Sequence, residues 1–251
     1  LSSNVSSQYI SSLMLTAPKL RGGLEINLTG ELTSLPYIKM TKSILEKIGV
    51  KVNFFKNKIK VFPKENIDDI TIKVESDWSS ASYFFSMVAL SNTANFKLTS
   101  FKKNSFQGDS CLLKIYNKLG VNSSFKGDTL IIEKQKNFNK PKFLKLNLID
   151  SPDIAQTIAV TCLGLGIRCD IEGLHTLKVK ETDRLIALKN EITKLGAKIS
   201  ITNKSLSIYP TKSINKNINI FTYDDHRMAM TFAPIAICPD INILNAEVGN
   251  I

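Results

Sequence analysis

Polar signals for helix starts recur along this chain at a fixed interval, and the interval limits the folds that the chain can adopt. Ser7, Ser80, Asp153 and His226 each lie at the start of an apolar run, and each follows the previous one by 73 residues. Ser and Asp are preferred at helix N-termini because their side chains accept hydrogen bonds from free backbone N–H groups. The runs lack a polar face, which is typical of helices buried on all sides. The chain therefore contains about three copies of one large unit.

A second series of signals lies between these helix starts. Gly49, Gly120 and Gly196 each follow Lys-Ile or Lys-Leu at the end of an amphipathic stretch, and glycine at such a position ends a helix because it adopts positive φ at little cost. Alternating polar and apolar residues predict strands at 24–28, 51–55, 70–74, 95–98, 129–132 and 206–209. The repeated unit is therefore predicted to be βαβαββ, with one buried and one amphipathic helix. A period this long excludes the common solenoids and indicates large α/β units.

The composition excludes several classes of protein. No apolar run reaches the ~18–20 residues that a membrane-spanning helix needs, and polar residues interrupt positions 1–20, which argues against a signal peptide. The net charge is +11, but the lysines are scattered, as on a solvated surface and unlike a nucleic-acid interface. A field of this sign also attracts small phosphorylated metabolites. The four cysteines form no CxxC pair, and there are only two histidines, so we expect reduced thiols and no zinc site.

Two short segments concentrate charge of both signs. Residues 178–184 read Lys-Val-Lys-Glu-Thr-Asp-Arg, and residues 224–230 read Asp-Asp-His-Arg-Met-Ala-Met. A fixed cluster of lysine, arginine and carboxylate suits the binding of a multiply charged anion and the transfer of protons to it. Taken alone, the first segment also fits a solvated helix start, where acidic residues interact favourably with the helix dipole.

Several segments in a fixed order carry a resemblance to one enzyme family. They are VSSQY (5–9), SLPY (34–37), DWSSASYF (77–84), NSFQGD (104–109), PD (152–153), VKETDR (179–184) and DHRMAM (225–230). Together they resemble the 5-enolpyruvylshikimate-3-phosphate synthases, which are 3-phosphoshikimate 1-carboxyvinyltransferases. The resemblance covers nearly the whole chain, and VKETDR with DHRMAM is its most specific part.

The resemblance implies a fold and a domain organisation. The family has an α/β fold of repeated βαβαββ units with buried parallel helices, the inside-out α/β barrel type of the enolpyruvyl transferases. Residues 1–74 resemble the third unit of its first domain, and residues 75–251 resemble most of its second domain. The family's Lys-containing phosphate loop would precede Leu1, and a further Lys-containing segment would follow Ile251. We therefore expect this stretch of chain, taken alone, to show no turnover.

The resemblance also implies an activity and a set of site residues. The family transfers the enolpyruvyl group of phosphoenolpyruvate to the 5-hydroxyl of shikimate 3-phosphate and releases phosphate. Asp153 would accept the hydroxyl proton, and Glu181 would protonate the phosphoenolpyruvate methylene. The residues expected to bind substrates are Ser6, Ser7, Gln8, Ser34, Tyr37, Thr176, Lys180, Arg184 and Arg227. Thr176 stands where the family usually has Asn. For Asp225 and His226, capping a helix and orienting Arg227 is a simpler interpretation than catalysis.

The expected partners are the two small-molecule substrates alone. Neither a cofactor nor a metal is required by the chemistry that the resemblance implies, and we expect no nucleic acid or membrane partner, a cytoplasmic location and a monomer when complete. Three alternatives stay open: enolpyruvyl transfer to a UDP-sugar, a basic RNA-binding βαβαββ module, and a purely structural repeat protein. The structural alternative is disfavoured because five charged residues expected at the site occur together: Asp153, Lys180, Glu181, Arg184 and Arg227.

Overall fold

The chain divides into two compact units. The computed structural model describes residues 1, 7–30 and 32–249. The N-terminal unit comprises Leu1–Val74 with Asn104–Gly108, and the C-terminal unit comprises Glu75–Lys103 with Asp109–Ile251. That these units belong to the first and second domains of a longer enzyme stays a prediction.

The N-terminal unit is one antiparallel sheet with two helices. Its elements are α1 (Ser7–Thr16), β1 (Leu24–Asn27), α2 (Leu35–Lys47), β2 (Val52–Phe55) and β3 (Lys58–Val61). The strand order is β1-β3-β2, and the two helices pack against each other. Ile10, Met14 and Ile38 are fully buried between these elements, so the unit has a small core of its own.

The C-terminal unit repeats this arrangement more completely. Its elements are α3 (Trp78–Leu90), β4 (Asn95–Leu98), α4 (Leu112–Asn117), β5 (Val121–Lys126), β6 (Thr129–Lys134), β7 (Phe143–Asn147), α5 (Ala155–Leu165), β8 (Arg168–Glu172), α6 (Arg184–Lys194), β9 (Ile199–Ile201), β10 (Ser205–Ile208), β11 (Ile218–Phe221), α7 (His226–Phe232) and β12 (Ile241–Leu244). From β7 to β10 the order is βαβαββ. The predicted repeat is therefore confirmed.

The sheets show the same repetition in their pairing. The middle sheet has the order β7-β8-β10-β9, with β7 parallel to β8 and the other pairs antiparallel. The sheets β4-β6-β5 and β1-β3-β2 reproduce its last three strands, and the parallel pair β11-β12 reproduces its first two. Gly49, Gly120 and Gly196 end α2, α4 and α6 with φ of 79°, 87° and 86°, as the sequence predicts.

Three apolar helices form the centre of the C-terminal unit. All residues from Ala155 to Leu163 of α5 are buried, and α5 packs against α3 and α7. Buried hydroxyl groups form hydrogen bonds with one another inside this apolar core. Ser82 donates to Thr157 at 3.1 Å, and Thr161 donates to Ser86 at 2.7 Å. The partners are 75 residues apart in both cases, close to the 73-residue interval of the helix starts, because nearby positions of successive repeats meet. The three helix N-termini consequently lie at one end of the unit.

One predicted strand, residues 70–74, is wrong. The segment contains no strand, and Ile70 and Val74 are 50% and 81% exposed. Its β-branched residues favour an extended backbone, but a strand also requires a neighbouring strand. The segment instead leads from the N-terminal unit to the C-terminal unit. Within the described ranges, no helix is long and apolar enough to cross a membrane.

Candidate active site

Helix starts fix the backbone around the two charged segments. Asp183 accepts hydrogen bonds from the backbone N–H groups of Leu185 and Ile186 and so caps α6. Asp225 caps α7 by accepting from the N–H of Arg227 at 2.8 Å. This confirms the interpretation of Asp225 as a helix cap. Asp153 lies in the 3₁₀ turn Pro152–Ile154 that leads into α5.

Arg184 lies at the centre of a carboxylate cluster. Its side chain is 1% exposed and its guanidinium forms ion pairs with three acids: Asp225 at 2.7 Å, Glu181 at 2.7 Å and Asp153 at 3.1 Å. Arginine suits this position because its planar fork presents donors in several fixed directions. The structure therefore brings the predicted residues Asp153 and Glu181 together around one guanidinium. Arg184 itself, predicted to bind substrate, is here engaged by protein carboxylates.

Asp153 is surrounded by cations. Lys180 Nζ lies 3.3 Å from Asp153 Oδ1, and Arg227 Nη2 lies 3.8 Å from Asp153 Oδ2. Burial opposes the ionisation of Asp153, but the charges of Arg227, Lys180 and Arg184 outweigh this effect and lower its pKa. Asp153 is therefore a carboxylate at neutral pH.

Lys180 and Arg227 are held less tightly than Arg184. Tight charge-assisted hydrogen bonds measure about 2.7–2.9 Å, whereas both cations lie more than 3 Å from Asp153. The side chains of Lys180 and Arg227 are 20% and 17% exposed. An incoming anion can therefore compete with Asp153 for these two cations. This pair is the part of the cluster best suited to bind phosphate or carboxylate oxygens.

Glu181 lies at the solvent-facing edge of the cluster. Its side chain is 46% exposed, and Oε1 lies 3.9 Å from Nδ1 of His226. Oε2 accepts a hydrogen bond from Arg184 Nη2 at 2.7 Å. Glu181 is therefore oriented by one arginine and accessible to a bound molecule.

Thr176 lies beside the cluster in the chain, in the 3₁₀ turn His175–Val179 that leads to Lys180. The residue is 5% exposed, and its hydroxyl has no hydrogen-bond partner within the described ranges. A buried hydroxyl without a partner is unfavourable, and a ligand could satisfy it. Its role as a substrate contact stays a prediction.

Of the five site residues predicted in the N-terminal unit, the four that the structure describes lie at two helix starts. Ser6 is outside the described residues. Ser7 begins α1 and Gln8 is exposed beside it. Ser34 precedes α2 with a φ of 52° and 8% exposure, and Tyr37 lies half-buried in the first turn of α2. That these residues join the charged cluster stays a prediction.

Asp109 is an additional carboxylate that the sequence does not assign to the site. It is fully buried, and its Oδ2 accepts a hydrogen bond from the Ser79 hydroxyl. Burial is the main cause that raises the pKa of Asp109 to about 6, with Ser79 and Arg227 opposing the shift and Asp153 contributing to it. One feature of the sequence could have indicated a role for Asp109, which is its place at the end of the NSFQGD segment. Its burial could not be predicted, because a single acid forms no periodic pattern.

The pKa of Asp109 predicts a pH-dependent stability. Its folded-state pKa of about 6 exceeds the ordinary 3.8, so the folded state holds the proton more tightly than the unfolded state. Stability is therefore lost as the pH rises from about 4 to 7, by about 3 kcal/mol for a shift of two units. Urea unfolding from pH 4 to 7 should show the wild type losing this amount relative to Asp109→Asn.

The change with pH of the stability difference between the wild type and Asp109→Asn reports on the Asp109 carboxyl group alone. A difference in packing between the two proteins contributes the same amount at every pH. Asp68→Asn, at an exposed position, serves as the control for the removal of a carboxyl group that is not buried. A constant difference for Asp109→Asn would contradict the predicted titration.

Comparisons with known proteins identify the family that the chain is similar to. The EPSP synthase (3-phosphoshikimate 1-carboxyvinyltransferase) family model matches residues 1–249. A 3-phosphoshikimate 1-carboxyvinyltransferase of Bacteroides fragilis (strain YCH46) is 39% identical over 99% of the chain, and one of Buchnera aphidicola subsp. Cinara cedri is 33% identical over 98%. The chain spans 61% and 56% of these relatives' lengths.

A solved structure supports the fold. The EPSP synthase of Acinetobacter baumannii superimposes with a TM-score of 0.72 at 20% identity, over 99% of this chain and 58% of that one. At this identity the likeness concerns the fold alone, which is the inside-out α/β fold that the resemblance implies. Since the family model matches nearly the whole chain, this protein belongs to the EPSP synthase family.

Proposed function

We propose that the full-length protein transfers the enolpyruvyl group of phosphoenolpyruvate to the 5-hydroxyl of shikimate 3-phosphate and releases phosphate. The observation that carries the proposal is the cluster in which Arg184 joins Asp153 and Glu181 beside Lys180 and Arg227. Two carboxylates and two lightly held cations are the groups that this reaction needs. The curated relatives bear the name of this activity.

The reaction has two stages, and each requires a proton transfer. In the first, the hydroxyl oxygen bonds to C2 of phosphoenolpyruvate while the hydroxyl proton leaves and the methylene carbon gains a proton. In the second, the C2–O bond to phosphate breaks and the new methyl group loses a proton. The protein's tasks are to hold two multiply charged anions and to provide one proton acceptor and one donor.

Lys180 and Arg227 are suited to hold phosphate and carboxylate oxygens. An anion that takes these cations away from Asp153 also removes two of the charges that lower the pKa of Asp153. The pKa of Asp153 should therefore rise when substrates bind, and the carboxylate becomes a better proton acceptor for the substrate hydroxyl. Substrate binding would thus activate the base.

Glu181 is suited to act as the proton donor. It is the more exposed of the two acids, and Arg184 fixes one of its oxygens. Arg184 holds both acids at a short separation, so one bound substrate can reach both. Carboxyl groups in different surroundings can divide acid and base work in this way.

The remaining predictions about partners follow from the same proposal. The two substrates are small anions, and the steps above use only side chains of the protein. Among the described residues, no group of three or more His, Cys, Asp or Glu is placed to hold a metal ion. A monomeric state, a cytoplasmic location and the absence of a nucleic-acid partner stay predictions.

A phosphate-release assay on the full-length protein tests the proposal. Phosphate should appear only when shikimate 3-phosphate and phosphoenolpyruvate are both present, and one enolpyruvyl product should form per phosphate. Turnover with UDP-N-acetylglucosamine in place of shikimate 3-phosphate would favour the nucleotide-sugar alternative. Retention on RNA at ~0.15 M salt without any turnover would favour the RNA-binding alternative.

A further inference from the structure

Glu191 is a buried carboxylate that the proposed reaction does not use. Within the described ranges, the acids with 0% exposure are Asp109, Asp225 and Glu191. Asp109 and Asp225 belong to the surroundings of the charged cluster, whereas Glu191 lies on α6, two helical turns beyond Arg184. A carboxylate is buried at high cost unless its oxygens are satisfied, so its partners indicate its role.

The partners of Glu191 lie on the segment that leads to the second charged motif. Its oxygens accept hydrogen bonds from the Tyr223 hydroxyl at 2.6 Å and from the backbone N–H of Phe221 at 3.2 Å. Lys194, one turn further along α6, pairs with Glu191 at 2.7 Å. Glu191 therefore joins α6 to residues 221–223.

The segment held by Glu191 has a strained backbone. Tyr223 and Asp224 have φ of 56° and 52°, in the left-handed region that non-glycine residues rarely adopt. Two such residues in succession persist only where the surroundings hold them. The next residues are Asp225, which caps α7, and Arg227, which carries one of the lightly held cations. A relaxed turn would therefore displace the start of α7.

Helix α6 holds this turn at two points. Arg184 binds Asp225, directly after the two strained residues. Glu191 binds Tyr223, the first of the two, and the backbone N–H of Phe221 before them. Arg184 and Glu191 are seven residues apart, so they lie on the same face of α6. One rigid helix thereby fixes the two charged segments, 178–184 and 224–230, relative to each other.

We propose that Glu191 is a positioning residue, which holds the left-handed turn through the Tyr223 hydroxyl and so places Arg227 and His226 in the charged cluster. Glu191 itself does not touch substrate. The consequence for phosphoenolpyruvate binding rests on the proposed function, whereas the placement of His226 does not.

Removing the Tyr223 hydroxyl tests this proposal in the full-length protein. Tyr223→Phe keeps the ring and should raise KM for phosphoenolpyruvate by about tenfold, as expected for one lost charge-assisted hydrogen bond. kcat should stay within about twofold, because a binding contact present in both ground and transition states affects KM. Glu191→Gln should raise the same KM. The two effects should be less than additive in the double variant, because both act through one bond.

Tyr116→Phe is the matched control. Tyr116 is fully buried in the same unit, and its hydroxyl shares a hydrogen bond with Thr161 at 2.9 Å. Its loss should lower the melting temperature without changing KM. A second variant tests whether strain in the backbone links Tyr223 to KM. Glycine adopts positive φ freely, so Asp224→Gly should restore KM in the Tyr223→Phe background. Equal KM changes in both phenylalanine variants would show a merely structural role and overturn the proposal.

A substrate-free readout separates this proposal from the proposed function. In NMR spectra of the full-length protein, the ring signals of His226 and His175 are assigned by their loss in His226→Gln and His175→Gln. Tyr223→Phe should shift the signals of His226 and leave those of His175 in place. If the wild type shows no enolpyruvyl transfer but His226 shifts in this way, the positioning role stands and the proposed function fails. Unchanged His226 signals would overturn the positioning role whatever the activity.

Discussion

Replacing Arg184 with methionine should lower the free energy of unfolding by about 3–5 kcal/mol, the cost of breaking a buried ion pair by removing one partner. Arg184 is 1% exposed and its guanidinium donates four hydrogen bonds to three carboxylates. Without it, the fully buried Asp225 keeps the hydrogen bond from the backbone N–H of Arg227 but loses both guanidinium donors. The carboxyl groups of Asp153 and Glu181 also lose the guanidinium that joins them. Urea unfolding at neutral pH measures the effect.

The exposed charged pair Arg168–Asp170 provides the control. Its atoms are 3.4 Å apart and the arginine side chain is 47% exposed, so Arg168→Met should cost less than about 1 kcal/mol. Arg184→Lys should fall between the two, because a lysine keeps the charge but cannot donate in several fixed directions. If Arg184→Met costs no more than Arg168→Met, the guanidinium does not hold the cluster together.

The repetitive part of the fold could be predicted from the sequence because repetition leaves periodic signals. The helix starts at 73-residue intervals and the glycines after α2, α4 and α6 are visible without any tertiary information. Residues 70–74 have the composition of a strand, but a strand depends on a neighbour that local sequence does not specify. Their exposure in the passage between the units is a tertiary outcome.

The site was predictable to the extent that its residues lie in dense charged segments. Lys180, Glu181, Arg184 and Arg227 stand in two such segments, and the structure places them around Asp153. The partners within the cluster were not predictable: Arg184 pairs with Asp225 across 41 residues, and no periodicity links them. Asp109 and Glu191 are isolated acids whose burial depends on the packing of other elements.

Glu181→Gln should lower kcat of the full-length protein by ~10²-fold or more, the contribution typical of a general acid. Glutamine is nearly the same size, and its carbonyl oxygen can still accept from Arg184 Nη2, which lies 2.7 Å from the glutamate. The cluster should therefore keep its geometry, and KM for both substrates should change little. The variant removes the transferable proton and leaves the rest of the site in place.

An isotope measurement assigns the loss to the step that Glu181 would perform. In D₂O, protonation of the methylene and its reversal exchange deuterium into phosphoenolpyruvate, and this exchange should slow by the same factor as kcat. Glu46→Gln is the matched control, because Glu46 is 45% exposed and pairs with Lys42 at 2.6 Å, and it should leave both rates unchanged. A large fall in kcat with wild-type exchange would remove Glu181 from the role of proton donor and place its contribution in the second stage, where phosphate leaves.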